Sequence, residues 1–381
     1  MKKFPLIILG ILGLLAFTLR HKDDIFTDPE YIAQLRTMYS SGDPTKWEAP
    51  TLDSTLVAGF QDIGSLPPMP FPADNPFSED KKTLGKLLFF DPRLSRSTQI
   101  SCASCHDSQL GWGDGRSVSF GHNRRTGVRN AMTILNTGYY TSFFWDGRAA
   151  TLEAQALGPM TDPVEMHSTQ DLSVKRIRKI KGYKPYFVKA FGDDKITIER
   201  ITQAIATYER TIVSGKSKFD RFISGDKKRF TDEEVVGLHL FRTKARCINC
   251  HNTPLFSDNQ FHNVGLSYYG RMYEDLGKYK HSKKKEDVGS FRTPSLREVA
   301  RTAPYMHNGF MPDLEGIVEM YNIGMPRPEP RENQKKDTLF PTTDRLLQPL
   351  NLSRKEKEAL VAFLKTLSSP AYHERMPELP Q

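Results

Sequence analysis

Cysteine is scarce in this 381-residue chain: there are four, and all of them fall inside two five-residue clusters, so no thiol remains for a disulfide framework once those clusters are used. Tryptophan is rarer still, at three. No alternating apolar–polar stretch runs beyond a few residues, which removes the basis for an all-β architecture. Neither sign of charge dominates, with 54 Lys and Arg against 45 Asp and Glu, a formal charge of +9. The one dense basic run, Lys278 to Lys285, reads as a solvated loop, so a nucleic-acid reader is excluded. Long hydrophobic runs are also missing. The single apolar stretch, Phe4 to Leu19, follows Met1-Lys2-Lys3 and precedes Arg20-His21-Lys22, and it is short for a spanning helix. It reads as a secretory signal over residues 1–20, although no Ala-x-Ala cleavage site follows, and an uncleaved membrane anchor stays as the alternative.

What is present is Cys-x-x-Cys-His, twice: Cys102-Ala103-Ser104-Cys105-His106 and Cys247-Ile248-Asn249-Cys250-His251. This is the signature of c-type haem attachment, in which two thiols form thioethers to the haem vinyl groups and the adjoining histidine binds the iron. One such pentad is expected by chance about 0.001 times in a chain of this composition, so two are not accidental. A redox Cys-x-x-Cys does not need the histidine, and a zinc site would want paired Cys clusters or a His-x₃₋₅-His partner. Two covalently bound haem c groups are therefore expected. Their four propionates would bring the net charge to about +5. Export to an oxidising compartment, the periplasm, agrees with the leader-like start.

The organisation is that of an internal duplication. Gly85-Lys86-Leu87-Leu88-Phe89 precedes the first motif and Gly237-Leu238-His239-Leu240-Phe241 the second, each placing Leu and Phe on one side of a short helix that would pack on a haem face. Thr231 with Glu234, and Ser353 with Glu356, form capping boxes, and Leu360, Val361, Leu364 and Leu367 make a core stripe. The expected class is mainly α with long loops: a Pro-rich irregular arm over 21–78 wrapping the first domain, an N-terminal haem domain over 79–224, a C-terminal haem domain over 225–370, and a tail over 371–381.

Further motifs accompany the two haem pentads: Gly121-His122, Phe144-Trp145-Asp146-Gly147-Arg148, Gly158-Pro159-Met160, Pro163-Val164-Glu165-Met166 and Pro304-Tyr305-Met306-His307-Asn308-Gly309. As an ordered set they resemble the bacterial dihaem cytochrome c peroxidases, over about 75–367. That wider family also contains the dihaem enzyme that matures methylamine dehydrogenase. The resemblance implies reduction of hydrogen peroxide to water at the first haem, with electrons from a small donor such as a cytochrome c or cupredoxin. A homodimer is compatible with it. Two other readings remain: a dihaem oxidase of the maturation type, and a plain dihaem electron carrier with no open iron.

Breaking a peroxide O–O bond on haem needs an open distal position, a proton-moving group and two electrons. The resemblance assigns these roles residue by residue. His106 and His251 would be proximal ligands, and His122, otherwise a solvated loop histidine, a displaceable distal ligand of the first haem. Glu165, with Gln155 nearby, would be the distal acid, its pKa raised by burial. Trp145 would lie between the haems. Asn130, with the backbone carbonyls of Thr302 and Pro304, matches a calcium site at the domain junction, where hard oxygen ligands suit that ion. At the second haem, peroxidases commonly use a distal methionine, but the matching position here falls on Tyr321, with Met320 as the competitor. Adjacent helical residues point about 100° apart, so only one can face the iron. A tyrosine there resembles the maturation enzyme, and phenolate favours ferric iron. Protein made with a haem-maturation system should carry two haems that survive acid–acetone extraction; an intact mass showing one or none would overturn the reading.

Overall fold

The computed structural model describes residues 25–371 and 373–381. The leader-like segment over 1–20 lies outside them, and among the described residues no helix is long and apolar enough to cross a membrane. The chain is mainly helical, as expected. Among the described residues the α-helices are α1 (Pro29–Tyr39), α2 (Glu79–Phe90), α3 (Leu152–Thr161), α4 (Gln170–Lys179), α5 (Lys184–Phe191), α6 (Ile198–Arg210), α7 (Lys218–Ile223), α8 (Asp232–Arg242), α9 (Tyr279–Ser282), α10 (Leu314–Asn322) and α11 (Arg354–Lys365). The named strands among the described residues, β1 (Phe261–His262) and β2 (Phe291–Arg292), pair antiparallel, with Phe261 opposite Arg292.

Helix starts follow from capping chemistry. Ser78 Oγ accepts from Lys81 N at the head of α2, and the boxes Thr231/Glu234 and Ser353/Glu356 open α8 and α11. Two main cores form. The first gathers Leu84, Leu88, Phe89, Ile201, Ala204, Ile205 and Tyr208 around the α2–α6 pair. The second gathers Val236, Leu240, Phe241, Leu360, Phe363, Leu364 and Leu367 around α8–α11.

The duplication seen in the sequence reappears as the same helix crossing. A Cβ on Gly85 would collide with the carbonyl oxygen of Ala204, and one on Gly237 with that of Ala359. Each glycine therefore lets its helix approach the backbone of a partner at an alanine.

The arm departs from expectation in two ways. It is not irregular throughout, because Asp28 caps the 11-residue α1 with a proline at its first turn. It also packs first on the second domain, not the first: Ile32, Leu35, Tyr39, Trp47 and Ile63 join the second core, and Arg36 pairs with Asp232. Apolar residues spaced Ile32, Leu35, Tyr39 along one helix face need a hydrophobic partner, and α8 supplies it. Only the arm's end reaches the first domain, where Asn75 donates to Glu153 (2.7 Å) and Gln203 O (2.9 Å). The tail crosses the other way, with Glu374 paired to Lys86 and Gln381 O accepting from Gly182 N (2.8 Å). The basic run is partly structured too: Lys278 pairs with Asp287 and Lys280 with Asp275.

Adding a methyl group at a tight helix crossing forces backbone shifts that cost about 1–3 kcal/mol. Gly237→Ala should therefore lower the thermal unfolding midpoint, whereas Gly64→Ala, at a position with open space around it, should leave it unchanged. Equal midpoints for the two variants would show that the crossing is not tight.

Candidate functional site

Each haem motif opens onto its own cavity. The first offers about 1350 Å³ of space, part of it open to solvent, and is lined by Cys102, Cys105, His106, Gln155 and Glu165. The second, about 1860 Å³ and also part open, is lined by Cys247, Cys250, His251 and Tyr321. None of the four thiols is in a disulfide. Burial pushes them up, that of Cys105 to about 11 and that of Cys247 to about 12.

The histidines are set for metal binding by what sits behind them. His106 Nδ1 lies 3.1 Å from Trp112 O, and His251 Nδ1 lies 3.0 Å from Phe256 O. A carbonyl only accepts, so Nδ1 carries the proton in each ring and Nε2 keeps its lone pair for a metal. Burial lowers the pKa of both rings, favouring the neutral form a ligand requires. Phe89, from the repeated Gly-x-x-Leu-Phe segment, stands 6.5 Å from the His106 ring, and Phe241 lines the second cavity.

The wall between the cavities is shared. Asn130, Met132, Thr133, Tyr140, Trp145 and Arg292 line both. Trp145 Nε1 donates to Asn130 O (3.0 Å), and Trp145 O accepts from Arg292 N (2.8 Å). Arg292 itself is 3% exposed, with its guanidinium 3.6 Å from the Tyr140 ring centroid. Nη2 reaches only the Met132 sulfur at 3.5 Å, and Nε and Nη1 have no partner. The other deeply buried arginines, Arg210, Arg242 and Arg297, each hold a carboxylate. A buried guanidinium facing two cavities without an anion is strongly unfavourable unless a ligand brings one. Haem propionates are such anions, so thiols, imidazole nitrogens and this orphaned cation together fit a c-type haem in each cavity.

The remaining residues singled out from the sequence divide as follows. Glu165 and Gln155 both line the first cavity, and burial pushes Glu165 up to about 7, with Asp162 adding to the rise and Arg148 opposing it. His122 does not line that cavity in this structure. Its backbone N donates to Val164 O (3.0 Å) and Glu165 O (2.7 Å), and its ring packs edge-on to His167 at 4.6 Å. Gly121 allows this, since a Cβ there would strike Val164 O. Asn130, Thr302 and Pro304 all lie on the wall of the second cavity. Along α10, Leu314, Ile317, Val318 and Tyr321 form one face on that cavity, while Met320 and Met325 do not line it. Burial raises the Tyr321 phenol well above its ordinary range.

Sequence reasoning missed several groups. His307, inside the Pro304–Gly309 motif, stacks on Phe291 at 3.7 Å, lines the second cavity, and is pushed down to about 4 by burial. His262, beside Cys250 and Asp258, has a metal-like cluster around it. Both ring nitrogens are taken, however, by Asp344 (2.6 Å) and Asp258 (2.9 Å). Burial would lower its pKa, but these carboxylates raise it to about 12, so it is a charged cross-link with no nitrogen left for an ion. No local signal marks Arg292 in the sequence, because its contacts lie far along the chain, and the Asp258–His262 spacing gains its meaning only when Asp344 joins it from 82 residues away.

Comparison with known proteins agrees with this geometry. Residues 79–228 match the family model described as di-haem cytochrome c peroxidase. The methylamine utilization protein MauG of Methylorubrum extorquens is 38% identical over 337 residues, covering 86% of this chain and 91% of that protein. The cytochrome c551 peroxidase of Nitrosomonas europaea is 36% identical, covering 86% and 93%. A solved MauG-like protein associated with microbial copper homeostasis superposes with a TM-score of 0.71 at 32% identity, covering 80% of this chain and 93% of that one. With two haem attachment motifs, two fitting cavities and relatives that match nearly end to end, the chain belongs to the di-haem cytochrome c peroxidase family and takes two covalently bound c-type haems.

Proposed function

We propose that this protein reduces hydrogen peroxide to water in the periplasm, using electrons from a small redox protein such as a cytochrome c or cupredoxin. The observation that carries the reading is the asymmetry of the cavities. The first presents an acid and an amide, Glu165 and Gln155, where the second presents an apolar helix face ending in one phenol, Tyr321. A haem in the first cavity supplies an iron at which peroxide oxygen is reduced, and one in the second supplies a stored electron.

The residues do the positioning and proton work. Glu165 takes a proton from the near oxygen of peroxide and gives it to the far oxygen, which then leaves as water. A carboxyl titrating near 7 suits both halves of that transfer, because neither form dominates at neutral pH. The Gln155 amide offers hydrogen-bond donors to the same cavity. Trp145, on the wall of both cavities, gives electrons an aromatic route between them, and Arg292 holds propionates at that wall.

In this reading His106 and His251 are the proximal ligands. His122 would be a displaceable one, carried on the loop between Gly121 and Gly127 whose backbone is hydrogen-bonded to the Glu165 segment. Calcium at Asn130 and the carbonyls of Thr302 and Pro304 would pin the junction where the shared wall begins. A second reading, oxidation of a protein or small-molecule side group as in the maturation enzyme, is favoured by one observation: the α10 face turned to the second cavity carries tyrosine, not methionine.

Glu165 must be ionised to accept the first proton, so kcat/KM should rise with pH through about 7. Glu165→Gln should lower peroxide turnover about 10²–10⁴-fold and abolish that acid limb while both haems stay bound. Near-normal turnover would remove Glu165 from the mechanism, and absence of peroxide turnover by the native protein with any donor would sink the peroxidase reading.

Tyr321→Phe should change the absorption spectrum of the second haem and raise its potential, since phenolate favours ferric iron, whereas Met320→Leu should be silent. The reverse pattern would assign the iron to methionine.

A further inference from the structure

We propose that Glu209 is a second proton-holding carboxyl of the first cavity, a neutral acid that donates one of the protons consumed in water formation. This deepens the peroxidase reading and rests on it. Reducing one peroxide to two waters breaks the O–O bond and consumes two electrons and two protons. The electrons come from the donor protein. Glu165 only relocates a proton that peroxide already carries, so both added protons must come from other groups. Glu209 gives one, becomes a carboxylate, and recovers a proton from solvent between turnovers.

The geometry is specific. Glu209 follows Ile205 by one helical turn on α6, and both line the first cavity. It is 5% exposed, and Oε2 is buried with no hydrogen-bond partner. The cations of its own helix and of α2 beside it are committed elsewhere, and Arg292, on the wall the two cavities share, is not among the charges that act on Glu209. Its neighbour Arg210 forks onto Glu153, with bonds of 2.7 and 3.0 Å, and Lys81 of α2 donates to Asn75 Oδ1 at 2.9 Å. Of the other elements against α6, α3 brings Glu153 itself, α4 brings Ile177 to the core, and the segment Thr137–Tyr139 brings no charge. The attachment segment brings Cys102, which a thioether neutralises.

A carboxylate so placed is almost withdrawn from solvent and has no cation paired to it, so the protonated form is favoured. Burial pushes the carboxyl up to about 8, with Arg210 drawing it back and Glu153 adding to the rise. The sign is opposite to that of Glu165. A donor must be protonated, so its contribution is lost as pH rises through about 8, which gives peroxide turnover an alkaline limb distinct from the acid limb near 7.

The test compares native holoprotein, Glu209→Gln and Glu165→Gln. Glu209→Gln should keep both haems, lose the alkaline limb of kcat/KM, keep the acid limb, and turn over peroxide about 10²-fold more slowly. Infrared difference spectra between about pH 6 and pH 10 read the carboxyls without turnover. The carbonyl stretch of a protonated acid should vanish from that titration in part in Glu209→Gln and should persist in Glu165→Gln. An unchanged alkaline limb, or an infrared titration unaltered by Glu209→Gln, would overturn the proposal. Should Glu209→Gln fail to hold haem, Glu165→Gln decides alone: no remaining protonated-acid signal means that Glu209 is not a proton store. If the native protein turns over no peroxide, the peroxidase reading falls, and the infrared arm still reports whether Glu209 holds a proton.

Discussion

A cation buried without an anion organises the centre of this protein. Arg292 sits on β2, and its side chain can be neither solvated nor paired by the polypeptide, so the surrounding elements must leave room for acids brought by the cofactors. Its position is over-determined. Its N–H binds Trp145 O, its strand pairs Phe261, and its guanidinium stacks on Tyr140, whose hydroxyl accepts from Ser295 N at 2.7 Å. The same contacts place Trp145 between the cavities. Charge compensation and the electron route are therefore built from one set of contacts.

That centre is clamped from both sides of the domain junction. Arg129 reaches Asp146 (2.6 Å) with one guanidinium nitrogen and grips Asp275 of the second domain (2.6 and 2.9 Å) with two others. His281 adds a contact to Asp146, and Asn130 N donates to His307 O at 2.8 Å. Gly309 and Gly147 permit the closest approaches: each has a positive φ, and a Cβ would meet the Ser117 backbone in one case and the Phe261 ring in the other. The arm and the tail run across the junction in opposite directions, so hinge opening would have to strip both. Electron transfer depends steeply on separation, and a junction tied this way holds the separation constant.

The parts legible in the sequence were those whose chemistry is local. A covalent haem needs its thiols and histidine in one pentad, capping needs residues three apart, and the duplicated glycine helix carries its own spacing. Helix geometry says only that Tyr321 and Met320 cannot both face one iron; the choice of Tyr321 comes from the resemblance. The arm was misjudged because proline content signals loops but says nothing about which core an amphipathic turn will find. Arg292, Glu209 and His262 were illegible for a related reason. Each is an ordinary charged residue whose meaning lies in who fails, or manages, to pair with it, and that is settled by packing: His262 takes Asp258 four residues away together with Asp344 at a distance of 82 residues. His122 shows the converse: its motif is local, but its place relative to the cavity is decided by a loop conformation that main-chain bonds to the Glu165 segment select.

The two cavities divide the chemistry by their polarity. In the first, Glu165 and Glu209 both line the cavity, and burial raises both carboxyls toward the neutral range, so groups able to exchange protons are at hand. In the second, the α10 face is apolar up to Tyr321, and His262 on the cavity wall is locked as a charged group between Asp258 and Asp344. A centre that exchanges protons needs groups of intermediate pKa within reach; a centre that only stores electrons is better served by having none. Tyr321 ends the apolar face in that second cavity, a phenol that burial holds protonated. Whether the second centre acts as an electron store of high potential or stabilises a more oxidised pair therefore turns on that one oxygen, and the remainder of the scaffold serves either use equally well.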